Sequence, residues 1–364
     1  MTTASHMPIG YVGVKPFTED GIYFSTNQMD DVRRAYKETP QRLGEKNGAV
    51  QQYENAVGHF LEDVMTAYKD DYQGRSLDDL SIVVDSGNGV GSLTVPKILQ
   101  EAGATVYSIN DDLKQFSYGV RDPEPTDKAL DGLVAAVDEL SADIGFAMDG
   151  DADRIRLVEG SRKVPGHEVL GHIGASYAAN SNVSDGVVFS INTPAFIKEY
   201  AESHGANAAY TPVGAIFTAK QCLDDQVAVG GQVNGHMTDG CSDKTPYSDC
   251  SAFFSLVLGD IVQETNNLPR FSHSYTRRSH RVDDPDSAFR AMCSTLNRFD
   301  DCQSTSQTDD AFKAQIGEGT VLLRQSGTEP VLRVSVESET DTTALQERIE
   351  EEVHRLPSQL RLTH

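Results

Sequence analysis

The stretch "ADIGFAMDGDADRIRLVEG" places three carboxylates, Asp149, Asp151 and Asp153, at alternate positions with Arg154 directly after them. Three carboxylates on one short loop repel one another unless a positive charge sits between them. A divalent cation meets that need. Every candidate ligand is an oxygen, with no His or Cys close by, so the expected metal is hard: magnesium first, then manganese or calcium. No glutamate falls where the twelve-residue calcium loop would close, and a solvated acidic turn is the plainer alternative. Two further stretches suit phosphate and hydroxyl groups. In "LLRQSGTEPVLR", Ser326, Gly327 and Thr328 form a turn flanked by Arg324 and Arg333, offering hydroxyls, backbone N–H groups and positive charge to a phosphate. An ordinary polar hairpin turn would read alike. In "VGGQVNGHMTDG", Gln232, Asn234 and His236 sit on a glycine-rich loop and suit the recognition of hydroxyls. At the start, "MTTASHMPIG" carries the pair Ser5 and His6, and "YVGVK" ends in Lys15. That opening is either a frayed tail or a working loop.

Alternating strand and helix patterns must position these loops. Tyr53, Val57, Phe60, Leu61, Val64 and Tyr68 recur at helical spacing and predict an amphipathic helix, ended by "GRSLDD". "LSIVVDSGNGVGSLTVPKILQEAGATVYSIN" reads as an apolar strand through Val84, a glycine-rich turn, a helix from about Thr94 stopped at Gly103, and a second strand. That is a β-α-β unit. "GVVFSINTPAFIKEYAESHGANAAYTPVG" repeats the layout, with Gly205 as the stop. One strand ends at Met148 before the aspartate loop, and "IRLVE" leads away as another. From about Arg270 the chain reads as a smaller α+β domain, with two alternating strands around a Gly-Thr turn and then the helix "DTTALQERIEEEVHRL".

The turn "DSGNGVGS" also invites a dinucleotide reading, with Asp111 ending the next strand where a ribose-binding acid would stand. Ser92 occupies the third glycine position, however, with Gly91 one place early, and such glycines equally serve a tight bend. Composition narrows the rest. A chain of 364 residues is long enough for several cores. No run approaches the roughly 18 apolar residues of a membrane span, and no basic and apolar leader precedes the globular pattern, so the expected location is the cytoplasm. Cys222, Cys241, Cys250, Cys293 and Cys302 form no C-x-x-C pair, which fits reduced thiols better than disulfides or structural zinc. Acidic residues number 55 against 31 basic ones, 12 of them lysine, for a net charge of -24. That sign argues against nucleic acid and anionic membrane as partners, and it suits a salt-rich cytoplasm in which screening removes self-repulsion.

Taken in order, "TASHMP", "DGDADR", "GGQVNGH" and "RQSGTEP" resemble the serine, metal, sugar-binding and phosphate-binding loops of the α-D-phosphohexomutases, a superfamily that includes phosphomannomutase, phosphoglucomutase and phosphoglucosamine mutase. "YVGVK" resembles the stretch after the family's serine loop, and "TPVG", Thr211 to Gly214, its third-domain turn. The resemblance runs from Ser5 to about Val336. It implies an α/β fold of successive phosphohexomutase-type domains with mixed sheets and a smaller C-terminal α+β domain. The expected boundaries are 1–75 for a partial first domain with the serine loop, 76–180 for the metal-loop domain, 181–269 for the sugar-loop domain and 270–364 for the phosphate-binding domain. It further implies that Ser5 carries a phosphoryl group and joins Asp149, Asp151 and Asp153 around Mg2+. Ser5 would donate to a hydroxyl of a hexose phosphate, and a hexose bisphosphate would serve as intermediate and activator. Arg324, Ser326, Gly327, Thr328 and Arg333 would hold the phosphate that is not moving, and Gln232, Asn234, His236, Thr211 and Gly214 would meet the sugar. Acid-base work falls to Lys15, His6 or His236, and Arg154 would position or screen the phosphoserine.

Two positions depart from the family's pattern. Its sugar loop reads Gly-Glu-x-Ser-Gly-His, whereas Gln232 and Asn234 stand at the Glu and Ser positions here, so an amide replaces a carboxylate that would accept from vicinal hydroxyls. Met7 replaces the usual Asn after the Ser-His pair. A mutase-like protein that binds sugar phosphate without turnover is therefore the alternative. Only four residues precede Ser5, which leads to the expectation that the front of the first domain is missing and that this form is weakly active.

Overall fold

Ile82, Val83 and Val84 are fully buried, as a continuous apolar run should be in a strand covered on both faces. They lie in a computed structural model that describes all residues except 8–9, 20, 39–48, 50, 115–120, 181–183, 225–226, 241–246, 327–329 and 357–364. The chain divides into two units: Met1–Phe189 with Ala201–Pro269, and Ser190–Tyr200 with Arg270–His364.

In the first unit, β1 (Thr2–Thr3) and β2 (Gly13–Val14) pair antiparallel. The Met1 ammonium donates to Lys15 O at 2.9 Å, so the backbone around Ser5 is tied at both sides rather than frayed. α1 (Thr26–Glu38), which no apolar stripe foretold, buries none of its residues. α2 (Ala56–Thr66) buries Leu61, Val64 and Met65 and continues as a π turn over Ala67–Asp71. Tyr53, expected on this helix, stays outside it and exposed, because Asn55 takes φ 56° and the helix starts beyond it. β3 (Ser81–Asp85), α3 (Val95–Glu101) and β4 (Thr105–Ile109) form the expected β-α-β unit with parallel strands. α4 (Asp131–Leu140) seats Leu133 and Val137 on Val83, Ala147 and Val158. β5 (Ile144–Met148) runs parallel to β3, while β6 (Ile155–Glu159) returns antiparallel and β7 (Arg162–Lys163) closes the order β4-β3-β5-β6-β7. The aspartate loop is thus the β5–β6 connection, at the carboxyl end of the parallel strands, where sheets of this kind bind ligands.

After α5 (Gly166–Asn180), the chain forms β8 (Gly186–Ser190), α6 (Ala195–Ser203), β9 (Asn207–Thr211) and α7 (Ala215–Asp224). β10 (Val229–Gly231), β11 (Met237–Asp239) and β12 (Tyr247–Ser248) complete a second sheet, ordered β12-β11-β10-β8-β9. The antiparallel β10–β11 pair carries the Gln232–His236 turn. α8 (Ser251–Thr265) is buried from Ser251 through Val262.

The second unit is built on an antiparallel sheet of β13 (Ser274–Arg281), β14 (Cys302–Gln307), β15 (Ala311–Ile316), β16 (Gly319–Gln325) and β17 (Val331–Ser338), ordered β13-β17-β16-β15-β14. α9 (Pro285–Leu296) and α10 (Thr343–Arg355) cover it, with Phe289, Met292, Leu323, Val334 and Ile349 in its core. Lys313 is buried and donates to Thr193 O at 2.6 Å, while the Glu337 carboxylate accepts from Ala195 N–H. No helix among the described residues is long and apolar enough to cross a membrane.

One buried group ties this packing to pH. His172 on α5 is 3% exposed, its Nε2 lies 3.0 Å from Pro269 O, and burial pushes its pKa down to about 4. The folded state therefore binds fewer protons than the unfolded state below pH 6.5, and stability present above that pH is lost as pH falls toward 4. The full shift corresponds to roughly 3 kcal/mol. The thermal midpoint should drop between pH 7 and pH 4.5, and His172→Gln, which keeps a donor for Pro269 O without titrating, should lose less over that interval. Equal losses in both proteins would refute the assignment.

Candidate active site

The Asp149–Arg154 loop is shaped from within by its first carboxylate. Asp149 Oδ1 accepts from the N–H groups of Asp153 (3.1 Å) and Arg154 (3.2 Å), and Ala152 sits in the left-handed region at φ 58°. Neighbours hold it from outside. Val90 N–H donates to Gly150 O, and Ser251, at the start of α8, donates through N–H to Ala152 O and through its hydroxyl to Arg154 O. Below it, the buried Arg121–Asp85 pair (Nε–Oδ2 2.9 Å) also donates to Met148 O, one residue before Asp149. The glycine-rich turn is spent on this support: Asn88 N–H goes to Asn110 O and Gly89 N–H to Ser86 O. Those are among the groups a pyrophosphate would need, and a 3-10 turn over Val90–Leu93, rather than an α-helix, follows the turn. The dinucleotide reading, with Asp111 as ribose acid, therefore has no support here. A Cβ at Gly89 would lie 2.6 Å from Gly150 O and 2.9 Å from its Cα, both backbone atoms. Gly89→Ala should accordingly cost about 1–3 kcal/mol by overpacking. Chemical denaturation checks this, and an unchanged midpoint would contradict the contact.

Sequence-distant loops converge on the aspartates. Oxygens of Asp149, Asp151 and Asp153 all lie within 4.8 Å of one another. Ser5 Oγ donates to Asp149 Oδ2 at 3.3 Å and lies 3.2 Å from His6 Nδ1. Lys15 Nζ bridges Asp151 (2.9 Å) and Asp153 (2.5 Å), and Thr3 Oγ1 donates to Asp151 at 2.8 Å. Arg154 extends Nη2 to His6 Nδ1 at 3.1 Å, Nη1 to Glu124 at 3.0 Å and Nε to His236 Nε2 at 3.1 Å.

Burial and crowded charge perturb five groups here. Burial raises the Asp149 pKa, and Asp153 and Asp151 raise it further. Asp153 moves down, because His236, Asp149 and Lys15 outweigh its burial. Burial opposes the Lys15 charge, yet its bonds to Asp153 and Asp151 prevail and raise its pKa. Burial and then Arg154 lower that of His6. His236 is drawn upward, since Asp249, 3.0 Å from its Nδ1, and Asp153 outweigh burial. While Arg154 donates to Nε2, a second ring proton has no seat there, so the imidazole carries its proton on Nδ1, the nitrogen 3.0 Å from Asp249 Oδ1. Asp151 Oδ1 and Asp153 Oδ1 are buried and accept no hydrogen bond from the described residues. Clustered oxygen donors with spare acceptor capacity fit a hard divalent cation.

Gln232 is 3% exposed, and the turn closes through Gln232 N–H to His236 O and Gly235 N–H to Gln232 O. Gly235 O accepts from Ile155 N–H, the residue after Arg154, so the turn with Asn234 abuts the aspartate loop. Thr211 ends edge strand β9, and Gly214 opens the turn into α7 with φ 147°. In the second unit, Arg324 and Arg333 are cross-strand partners on β16 and β17, an arrangement of like charges that is unfavourable without an anion or carboxylate nearby. Asp310 lies 3.4 Å from Arg324 Nε. Ser326 is buried with no partner for its Oγ among the described residues, and Gly327 and Thr328 lie outside them. Thr3, Glu124, Asp249 and the Arg121–Asp85 pair escaped the sequence reading. Thr3, two residues before Ser5, was within reach of it, but no spacing rule links Asp249 to His236 or Glu124 to Arg154.

The sequence matches the family descriptions "Phosphoglucomutase/phosphomannomutase, alpha/beta/alpha domain II" over residues 59–162, "alpha/beta/alpha domain III" over 165–274 and "C-terminal domain" over 281–355. The chain belongs to the α-D-phosphohexomutase superfamily. Among phosphohexomutases it is 28% identical over 357 residues to a probable phosphoglucosamine mutase of Methanopyrus kandleri, covering 96% of this chain and 77% of that one. It is 27% identical over 352 residues to a phosphoglucomutase/phosphomannomutase of Thermococcus kodakarensis, covering 94% and 75%. In structure it resembles a phosphoglucomutase/phosphomannomutase family protein from Burkholderia thailandensis, with TM-score 0.80, 20% identity and coverage of 97% and 74%. An N-acetylphosphoglucosamine mutase of Aspergillus fumigatus, solved with GlcNAc-6P and magnesium, has TM-score 0.52, 17% identity and coverage of 86% and 72%.

Proposed function

We propose that this phosphohexomutase interconverts hexose 1-phosphate and hexose 6-phosphate through a phosphoserine at Ser5 and a bisphosphorylated sugar. The observation that carries the reading is the meeting of Ser5 with Asp149, 144 positions away, in one site that also gathers Lys15, His6 and Arg154. Asp149, Asp151, Asp153 and the phosphorylated Ser5 would hold Mg2+, which when bound supplies neutralising charge for phosphoryl transfer. In the forward step the bond from phosphorus to Ser5 Oγ breaks, a bond to the sugar hydroxyl oxygen forms, and the hydroxyl proton leaves to a nearby base. Lys15, fixed as an ammonium between two carboxylates, is suited to stabilise charge, and His6, beside Ser5 Oγ, is suited to exchange the serine proton. Arg324, Ser326 and Arg333, with Gly327 and Thr328, are assigned the phosphate that is not moving, as Gln232, Asn234, Thr211 and Gly214 are assigned the sugar.

The two relatives described carry phosphoglucosamine mutase and phosphoglucomutase/phosphomannomutase names, which supports a hexose phosphate as substrate and leaves the ring substituent to the test. The test is 31P NMR of glucose, mannose and glucosamine 1-phosphates, each with Mg2+ and a trace of hexose 1,6-bisphosphate at high salt. At least one should convert to its 6-phosphate, and tight binding of all three without conversion would replace this reading by that of a sugar-phosphate-binding protein. Gln232 favours that second outcome, because its amide stands where the family carries a carboxylate.

A further inference from the structure

Both ring nitrogens of His236 have a close polar neighbour, Arg154 through a hydrogen bond and Asp249 through a short ion-pair contact that falls outside hydrogen-bond geometry. Its Nε2 accepts from Arg154 Nε at 3.1 Å, and its Nδ1 lies 3.0 Å from Asp249 Oδ1. Asp249 is itself fixed: its side chain is 2% exposed, its backbone sits at φ 54° and its N–H donates to Met237 O at 2.7 Å. Among the described residues, His236 is the one basic side chain within 4 Å of that carboxylate. At the other end, all three guanidinium nitrogens of Arg154 are engaged, by His236, Glu124 and His6. Arg154 Nη2 and Ser5 Oγ meet at the same atom, His6 Nδ1, at 3.1 and 3.2 Å. A planar, always-charged fork held at three points has one orientation, and one of those points, His6 Nδ1, is the atom the serine hydroxyl also meets.

We propose that Asp249 and His236 are positioning residues, a buried carboxylate–imidazole brace that fixes the Arg154 guanidinium at the Ser5 hydroxyl. The proposal deepens the mutase reading and rests on it for its kinetic consequence, while the brace itself is a property of the protein without substrate. It assigns His236 the role of a support instead of the acid-base role open to it from sequence. The brace works as second-tier carboxylates do for metal-bound histidines: the carboxylate selects the Nδ1–H tautomer, which leaves Nε2 as the acceptor that Arg154 needs. Glu124, half exposed, holds the opposite side of the guanidinium less firmly than the buried pair does.

The test uses the full chain in two arms. In the first, without substrate or metal, histidine and arginine are 15N-labelled and spectra are recorded at pH 8. His236 should show the Nδ1–H tautomer, and Arg154 Nε–H, assigned by its loss in Arg154→Lys, should give a slowly exchanging signal. Asp249→Ala should abolish that signal and Asp249→Asn, which keeps an acceptor of the same shape, should retain it. An Nε2–H tautomer for His236, or an Arg154 signal indifferent to Asp249→Ala, would overturn the brace. In the second arm, Asp249→Ala should lower kcat about tenfold with KM unchanged, and Asp249→Asn should restore most of it. In an Arg154→Ala background the same Asp249→Ala change should cost less than about twofold, because its target is gone. Equal losses in both backgrounds, or an effect confined to KM, would refute action through Arg154. If no hexose phosphate is converted at all, the mutase reading fails while the first arm still decides the brace.

Discussion

Ser5→Ala should abolish hexose-phosphate interconversion, with a loss of about a thousandfold or more, as expected when the covalent nucleophile of a coupled site is removed. Among the described residues of the serine loop, the hydroxyl is the atom that touches both Asp149 and His6. Thr3 is turned to Asp151 and accepts from the Ser5 N–H, so it braces the loop rather than duplicating the nucleophile. Ser5 already occupies the left-handed region at φ 50°, and alanine tolerates that conformation no better and little worse, so the thermal midpoint should barely move. Turnover and melting measured on the same preparation separate the two effects. Residual activity above a tenth of the parent would show that the phosphoryl group does not pass through Ser5.

Asp149→Asn separates charge from shape. Its amide oxygen can still accept from the N–H groups of Asp153 and Arg154, so the loop should keep its form. The carboxylate lost is fully buried and titrates above the ordinary range, because burial and then Asp153 and Asp151 disfavour its charge. A carboxyl raised in this way destabilises the fold as pH climbs above the unfolded value, so removing the charge should leave the metal-free protein as stable at neutral pH, or more so. Activity should move oppositely, falling on the order of a hundredfold with the loss of one preorganised electrostatic partner. The parent's melting midpoint should also rise with added Mg2+, as any ligand of the folded state raises it, and the variant's should not. An undiminished Mg2+ response in the Asp149→Asn variant would detach the aspartate loop from metal binding.

The sequence disclosed these loops more readily than their supports. Asp149, Asp151 and Asp153 announce themselves because repulsive charges at fixed spacing need an explanation, and the flanking strands are strongly apolar. β3–α3–β4 was likewise legible from its continuous buried run and the Gly103 stop. β13 was not, since "SYTRRSHR" lies at a sheet edge, half exposed, with arginines where alternation would show. α1 was missed for the related reason that it buries nothing. The glycines of "DSGNGVGS" were visible, but their purpose was not: a tight bend, a nucleotide cradle and a seat for Gly150 need the same residue type. His236 was legible as a site residue and Asp249 was not, because no motif spacing or periodicity links the two positions.

The most direct measurement is transfer of label to the serine itself. The protein is incubated with hexose 1,6-bisphosphate carrying 32P and Mg2+, digested, and its phosphopeptides are sequenced by mass spectrometry; a parallel sample is chased with unlabelled hexose 6-phosphate before digestion. The account predicts label on Ser5 that the chase removes as labelled sugar phosphate. Interconversion that proceeds while Ser5 stays unlabelled, or with a label on another residue that the chase removes, would contradict it.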